Sequence, residues 1–303
     1  MEKIKIKIIF LMMFLITSCT LQDFKPQPQN LSPEKYQPIN YSSDKPTQNQ
    51  TNTTPIVVPA EPVLLPISNK LAVYIIDTSK KGSAIVTLNN NSILVNAQGQ
   101  ADGLRLLKII KNLGIKKINY LIATNGDEGN IAGISPILLR IPPAKLIHSG
   151  IPSLAPSYST YTSLYKNITL VPHDDIFGFE ESFVNLIVPY DDGIPLSDDN
   201  SIVVKINYGN TQVLITTDCA VDCESRIGNV KASILISNGG CNSLSYIFLQ
   251  DVLPELVVFS GKPCEETQKR IESLDLPYLY TERDGDIVIS SDGINFEYKN
   301  LKS

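Results

Sequence analysis

The chain changes character near residue 69, and that break decides how much of it can fold. From Thr20 to about Ser68 the sequence is rich in Pro, Gln, Asn, Ser and Thr with no sustained apolar period, as in Lys25-Pro-Gln-Pro-Gln-Asn30 and the polar run from Thr47 to Thr54. Such a stretch cannot bury enough apolar surface to offset an ordering cost of roughly 1–2 kcal/mol per residue. Residues 19–69 therefore read as a disordered tether, with a reach of roughly 35–40 Å for a flexible coil. Residues 70–303 read as one folded domain, in which short apolar runs alternate with helical periodicities.

The first eighteen residues read as a signal peptide: Lys3, Lys5 and Lys7, then an apolar run from Ile8 to Ile16, then the small pair Thr17-Ser18 before Cys19. The apolar run is shorter than the roughly 20 residues needed to span a bilayer. Ile16-Thr17-Ser18-Cys19 resembles the bacterial lipobox, which implies cleavage before Cys19 and a lipid on its sulfur. Two or more acyl chains, at roughly 0.8 kcal/mol per buried methylene, make a stable anchor. The expected location is the bacterial cell envelope, lipid-anchored and extracytoplasmic. Cleavage would remove three lysines and one glutamate, taking the net charge from -5 to -7. An acidic chain lacks the basic excess that drives binding to phosphate backbones, so nucleic acid is not an expected partner.

Within the folded part, strands are expected at 71–76, 83–88, 92–96, 118–123, 146–149, 184–188, 202–208, 213–217, 234–237, 256–260, 278–281, 286–290 and 295–298. A helix is expected through Leu104, Leu107, Ile109, Ile110 and Leu113, stopped by Gly114, with others over 130–139, 243–252 and 265–274. This order suits an α/β sandwich of two sheets flanked by helices.

The run Tyr120-Leu-Ile-Ala-Thr124-Asn125-Gly-Asp127-Glu-Gly129-Asn130-Ile-Ala-Gly133 resembles the central motif of the metallo-β-lactamase fold, and most closely the extracytoplasmic hydrolase-like domain of the ComEC family of DNA-uptake proteins. That family ends a hydrophobic strand in Thr-His-x-His-x-Asp-His-x-Gly-Gly. Further likeness lies at Asp77 and Gly82-Ser83-Ala84, Leu94–Ala97, Asn200–Val204, Leu214–Asp218, Ile236–Gly240 and Phe259–Pro263, so the resemblance extends over nearly all of 70–300. It implies a metallo-β-lactamase-like αββα sandwich.

The resemblance also implies that the metal ligands are gone. Asn125 stands at the first His, Asp127 at the second, Gly129 at the Asp that also moves protons, Asn130 at the third His, Asn238 at or beside a fourth and Lys262 at a fifth, while Asp218 keeps the bridging carboxylate. With two histidines in all, His148 and His173, the chain cannot assemble a site of three imidazoles. No cofactor is expected. Asp127 and Asp218 with neutral amides remain the candidate ligands if a metal binds, and Lys262 could instead pair with Asp218. His148 and His173 read as loop or surface residues, and the pairs Asp174-Asp175, Asp191-Asp192 and Asp198-Asp199 as solvated turns without the alternating carboxylates of a calcium loop.

Beyond Cys19 there are four cysteines: Cys219, Cys223, Cys241 and Cys264. In an exported chain an even number points to disulfides, with three possible connectivities. A thiolate metal site or redox pair is the competing reading, and Cys219–Cys223 within one helix turn is the least expected pairing. No Gly-x-Ser-x-Gly elbow is present for a serine hydrolase.

These readings converge on a lipid-anchored envelope protein with a degenerate, non-catalytic domain that binds a small ligand or another envelope protein. The alternative is a divergent hydrolase of phosphoesters or nucleic acid, with zinc or manganese and a link to DNA uptake.

Overall fold

The computed structural model describes residues 69–78, 82–189 and 200–301. The signal, Cys19, the tether before residue 69 and the pairs Asp191-Asp192 and Asp198-Asp199 lie outside these residues. Among the described residues no helix is long and apolar enough to cross a membrane.

The first sheet contains β1 (Leu71–Ile75), β2 (Ala84–Leu88), β3 (Asn91–Val95), β4 (Tyr120–Ala123), β5 (Lys145–His148), β6 (Ile168–Leu170), β14 (Ile287–Ser291) and β15 (Phe296–Asn300), in the order β15-β14-β1-β2-β3-β4-β5-β6. The second contains β7 (Asp175–Phe179), β8 (Ser182–Ile187), β9 (Val203–Tyr208), β10 (Thr211–Thr217), β11 (Ile234–Ser237), β12 (Leu256–Phe259) and β13 (Tyr278–Tyr280), in the order β13-β12-β11-β10-β9-β8-β7. Each is antiparallel on one side and parallel on the other, β3 to β6 and β10 to β13 forming the parallel halves.

Parallel neighbours need crossovers, and these supply the outer layers. On the first sheet they are α1 (Gln100–Asn112), α2 (Glu128–Ile131), α3 (Ile134–Arg140) and α4 (Pro156–Leu164); on the second, α5 (Val221–Arg226), α6 (Tyr246–Val252) and α7 (Glu265–Ser273), with the short α8 (Thr281–Asp284) after β13. The period of two in β1 distributes its side chains between layers. Leu71, Val73 and Ile75 enter the core between the sheets, while Ala72 and Tyr74 face the helices. Because both faces are covered, the strands read as continuous apolar runs.

Three local readings need correction. The stripe of α1 is carried by Leu106, Ile109 and Ile110, with Leu113 just past its end, while Leu104 points outward at 60% exposure. The helix expected over 130–139 is two helices broken at Ala132-Gly133, where the Gly133 N–H donates to the Gln98 carbonyl at 2.7 Å. The strand expected over 278–281 stops at Tyr280 because Thr281 opens α8.

Candidate functional site

The C-terminal ends of β4, β10 and β11 meet at one edge of the sandwich. Open α/β sheets place their binding crevices beyond such strand ends. Thr124 after β4 and Thr217 at the end of β10 bring the two sheets into contact, their hydroxyls 3.3 Å apart. Asn96 fixes Thr124 from the β3 side: its Oδ1 accepts from the Thr124 N–H at 2.9 Å, and its Nδ2 donates to the Thr124 hydroxyl at 2.9 Å.

Thr217 takes a left-handed backbone conformation, φ +48°, at a shift of register between β10 and β11. A β-branched residue resists this region, so the conformation is held by its surroundings. Its carbonyl accepts from the Asn238 N–H at 3.0 Å. The turn delivers Asp218 into the crevice.

Asp218 is the centre of the site. Asn130 Nδ2 donates to its Oδ2 at 2.5 Å, and Asn238 Nδ2 donates to its Oδ1. Asn125 organises the third side: its Oδ1 accepts from Asn130 Nδ2 at 2.8 Å and from the Asp127 N–H at 3.1 Å, and its Nδ2 donates to the Ser201 hydroxyl at 2.9 Å. All three asparagines are buried. Burial pushes the Asp218 carboxyl above its ordinary range; the amide donors of Asn130 and Asn238 oppose this, and the negative charge of Asp127 adds to it.

The remaining predicted positions lie at the rim. Asp127 is exposed at the start of α2. Gly129 sits in α2 with open space where a Cβ would stand. Lys262 is exposed beyond β12, and its charge reaches Glu265; the charge of Asp127 acts on Asp218. His148, expected as a loop or surface residue, is instead buried at the end of β5, its Nδ1 accepting from the Gly150 N–H at 2.9 Å and its ring 5.2 Å from that of Tyr158. His173 is exposed.

Beside Asp218 opens a cavity of about 300 Å³ lined by Thr217, Asp218, Asn238, Gly240, Asn242 and Ser243 among others. The loop after β11 that forms its wall is fastened from several sides. Glu224 of α5, a buried carboxylate, accepts from the N–H groups of Leu244 and Ser245, the second at 3.0 Å. Arg270 of α7 donates to the carbonyls of Ser243 and Leu244 at 2.7 and 3.1 Å. Two disulfides flank the loop: Cys241–Cys264, with Cα atoms 5.1 Å apart, and Cys219–Cys223, at 5.3 Å. The second is the pairing the sequence made least expected. It is possible because Cys219 lies outside α5, before the cap residue Ala220, so the two positions do not share a helical turn. The pairs fit an oxidising, extracytoplasmic compartment.

No protein-family model matches the sequence, and no curated protein does. Among solved structures, the chain is similar to the metallo-β-lactamase fold protein YhfI from Bacillus subtilis, at 12% identity, covering 70% of this chain and 96% of that one with a TM-score of 0.49. It is also similar to a Cronobacter sakazakii metallo-β-lactamase with a HARLDQ motif, at 12% identity over 59% of this chain and 79% of that one with a TM-score of 0.43. The diiron β-hydroxylase CmlA from Streptomyces venezuelae matches at 10% identity over 64% of this chain and 45% of that one, TM-score 0.42. Two mixed sheets face to face, helices on both outer faces and a crevice where the sheets meet complete the architecture. The fold is metallo-β-lactamase-like.

A metallo-β-lactamase-like fold raises the question of a metal at Asp218, and the donor set does not suit one. Each carboxylate oxygen accepts from an amide N–H, and an amide nitrogen has no lone pair to offer an ion, so Asn130 and Asn238 compete with a cation for Asp218 and contribute no nitrogen ligand. Among the described residues, no cluster of three or more His, Cys, Asp or Glu ligand atoms includes Asp127 or Asp218. Thr124 and Gly133, the two motif residues that keep their identity, serve the backbone of the crevice rather than an ion.

The sequence reading overlooked Glu224 and Arg270 as braces of the loop, and Ser201 as the partner of Asn125. Glu224 carries a weak sequence signal, an acid one residue past Cys223. Arg270 carries none.

Proposed function

We propose that the folded domain is a non-catalytic binding module of the bacterial cell envelope, tethered by a lipid on Cys19, and that the cavity beside Asp218 receives a small polar ligand or an exposed segment of another envelope protein. The observation that carries this reading is the pair of amides on Asp218. Asn130 and Asn238 donate to opposite oxygens of one carboxylate, so two amide donors face Asp218 where the resembled family places imidazole ligands. The cavity wall adds backbone and small polar groups around a single carboxylate, a surface suited to a partner that brings hydrogen-bond donors or a positive charge.

Elemental mass spectrometry on the chain from Lys70 onward, purified with both disulfides intact and without chelator, tests the reading. Zinc and manganese should be far below one ion per chain, and hydrolysis of a model phosphodiester should be the same for the parent and for Asp218→Ala. One ion per chain, lost in Asp218→Ala together with hydrolysis, would replace the binding module with a metal-dependent hydrolase. The anchor is tested separately: Cys19→Ala should move the full chain from the membrane to the soluble fraction.

A further inference from the structure

Two loops at the mouth of the Asp218 cavity bring together two sulfurs and a carboxylate. Cys241 follows β11 and lines the cavity; Cys264 follows β12 and caps α7; Glu266 stands in the first turn of that helix. Glu266 Oε2 lies 2.6 Å from Cys264 Sγ and 3.4 Å from Cys241 Sγ. One ligand atom from each of the three residues lies within 4.8 Å of the other two. While the sulfurs are bonded to each other, neither has a proton to give the carboxylate, so the contact gains nothing. Once that bond is broken, the same atoms are two thiols beside a hydrogen-bond acceptor.

We propose that Cys241, Cys264 and Glu266 form a zinc site that exists only when the Cys241–Cys264 disulfide is reduced. Two thiolates and a carboxylate are a ligand set zinc accepts, with a water as the fourth ligand. Tetrahedral ligands at zinc bond lengths stand roughly 3.5–3.8 Å apart, so the two sulfurs, bonded to each other in the oxidised protein, must move apart by about 2 Å once reduced, and Glu266 must draw back slightly from Cys264. A small-molecule thiol supplies the reduction. Its thiolate attacks one sulfur, a second thiol resolves the mixed disulfide, the protein gains two electrons and two protons, and the reductant leaves as its own disulfide. Zinc then takes both sulfurs as thiolates and releases two protons to solvent.

The surroundings favour this bond over the other one and keep the loop in place after it opens. Cys241 and Glu266 are exposed, whereas Cys219 and Cys223 are fully buried, so a reductant meets the Cys241–Cys264 bond first. The wall of the cavity does not hang on the staple alone. The Thr267 hydroxyl donates to the Gly240 carbonyl at 2.6 Å, the Cys264 N–H donates to the Gly239 carbonyl at 2.7 Å, and Glu224 and Arg270 hold the residues beyond. The site uses none of the groups on Asp218 and stands apart from the reading of that carboxylate.

Zinc uptake before and after treatment with a phosphine reductant, with a thiol count in parallel, tests the proposal. The oxidised protein should retain no zinc through desalting, and the reduced protein one ion per chain. Glu266→Gln should weaken uptake on the order of tenfold or more, Cys241→Ser/Cys264→Ser should abolish it, and Asp218→Ala should leave it unchanged. Uptake indifferent to Glu266→Gln, or absent when both thiols are free, overturns the proposal. If opening the staple unfolded the chain, zinc would bind loose thiols without regard to Glu266, and the same arm would expose it.

Discussion

Gly133 lies so close to Ala97 that a Cβ on it would come within 1.9 Å of the Ala97 carbonyl oxygen. The obstacle is backbone on a strand-to-helix connection, with Gly103 packed on the glycine from α1, so nothing can swing aside. Gly133→Ala is expected to cost about 3 kcal/mol, at the upper end of overpacking penalties. Gly129, four residues earlier, has open space at its Cβ and helical backbone, and Gly129→Ala should be neutral or stabilising by up to about 1 kcal/mol. Urea midpoints of the two variants, side by side, check both.

Glu224 is a buried carboxylate whose value lies in its two oxygens. Burial raises its pKa, and the N–H donors of Ser245 and Leu244, with the charge of Arg270, pull it back. Glu224→Gln replaces one acceptor by an NH2 group facing a backbone N–H, at a cost of about 2 kcal/mol. Proteolysis of the 238–245 loop, slow in the parent chain, should become fast in the variant.

His148 ties stability to pH. Burial lowers its pKa from 6.5 to about 4. Between those values the unfolded chain binds a proton that the native state excludes, so this residue's contribution falls as pH drops from about 6.5 to about 4 and is level below that. The window corresponds to roughly 3 kcal/mol. Chemical denaturation from about pH 7 down to about pH 4 should show a shallower acid slope for His148→Gln than for the parent.

Asn130→Asp would set a second carboxylate at hydrogen-bond distance from Asp218. Two carboxylates there cannot both ionise cheaply, so the native pair would hold a proton that the unfolded chain gives up. The variant should lose about 2 kcal/mol near neutral pH and regain most of it as the pair is protonated in acid. A penalty that does not shrink in acid would show that the amide does not face the carboxylate.

The sequence was most legible where burial is two-sided. β1 to β4 and β9 to β12 are short runs rich in Val, Ile and Leu. It was least legible at the margins of the sandwich. The helix Pro156–Leu164 is built from Ser, Thr and Tyr with Tyr161 as its one buried side chain, so it carries no apolar period. The hairpin of β7 and β8 sits at a sheet edge, where Ile176 and Phe183 face outward and blur the alternation. The site positions Asn125, Asn130, Asp218 and Asn238 came from motif order, and the structure brings them together. Lys262 shared the same motif logic but stands exposed beyond β12, where its charge reaches Glu265.

The strand β1 lies between β2 and β14, pairing Leu71 with Ser291 and Ala72 with Thr87. Half of its backbone partners are therefore made more than two hundred residues after it. A chain leaving a ribosome or a translocation pore holds this strand half-satisfied until its last segment appears, and closure of the larger sheet becomes a late, length-dependent event. The order of emergence, rather than the strength of any single contact, then sets how long the molecule stays threadable.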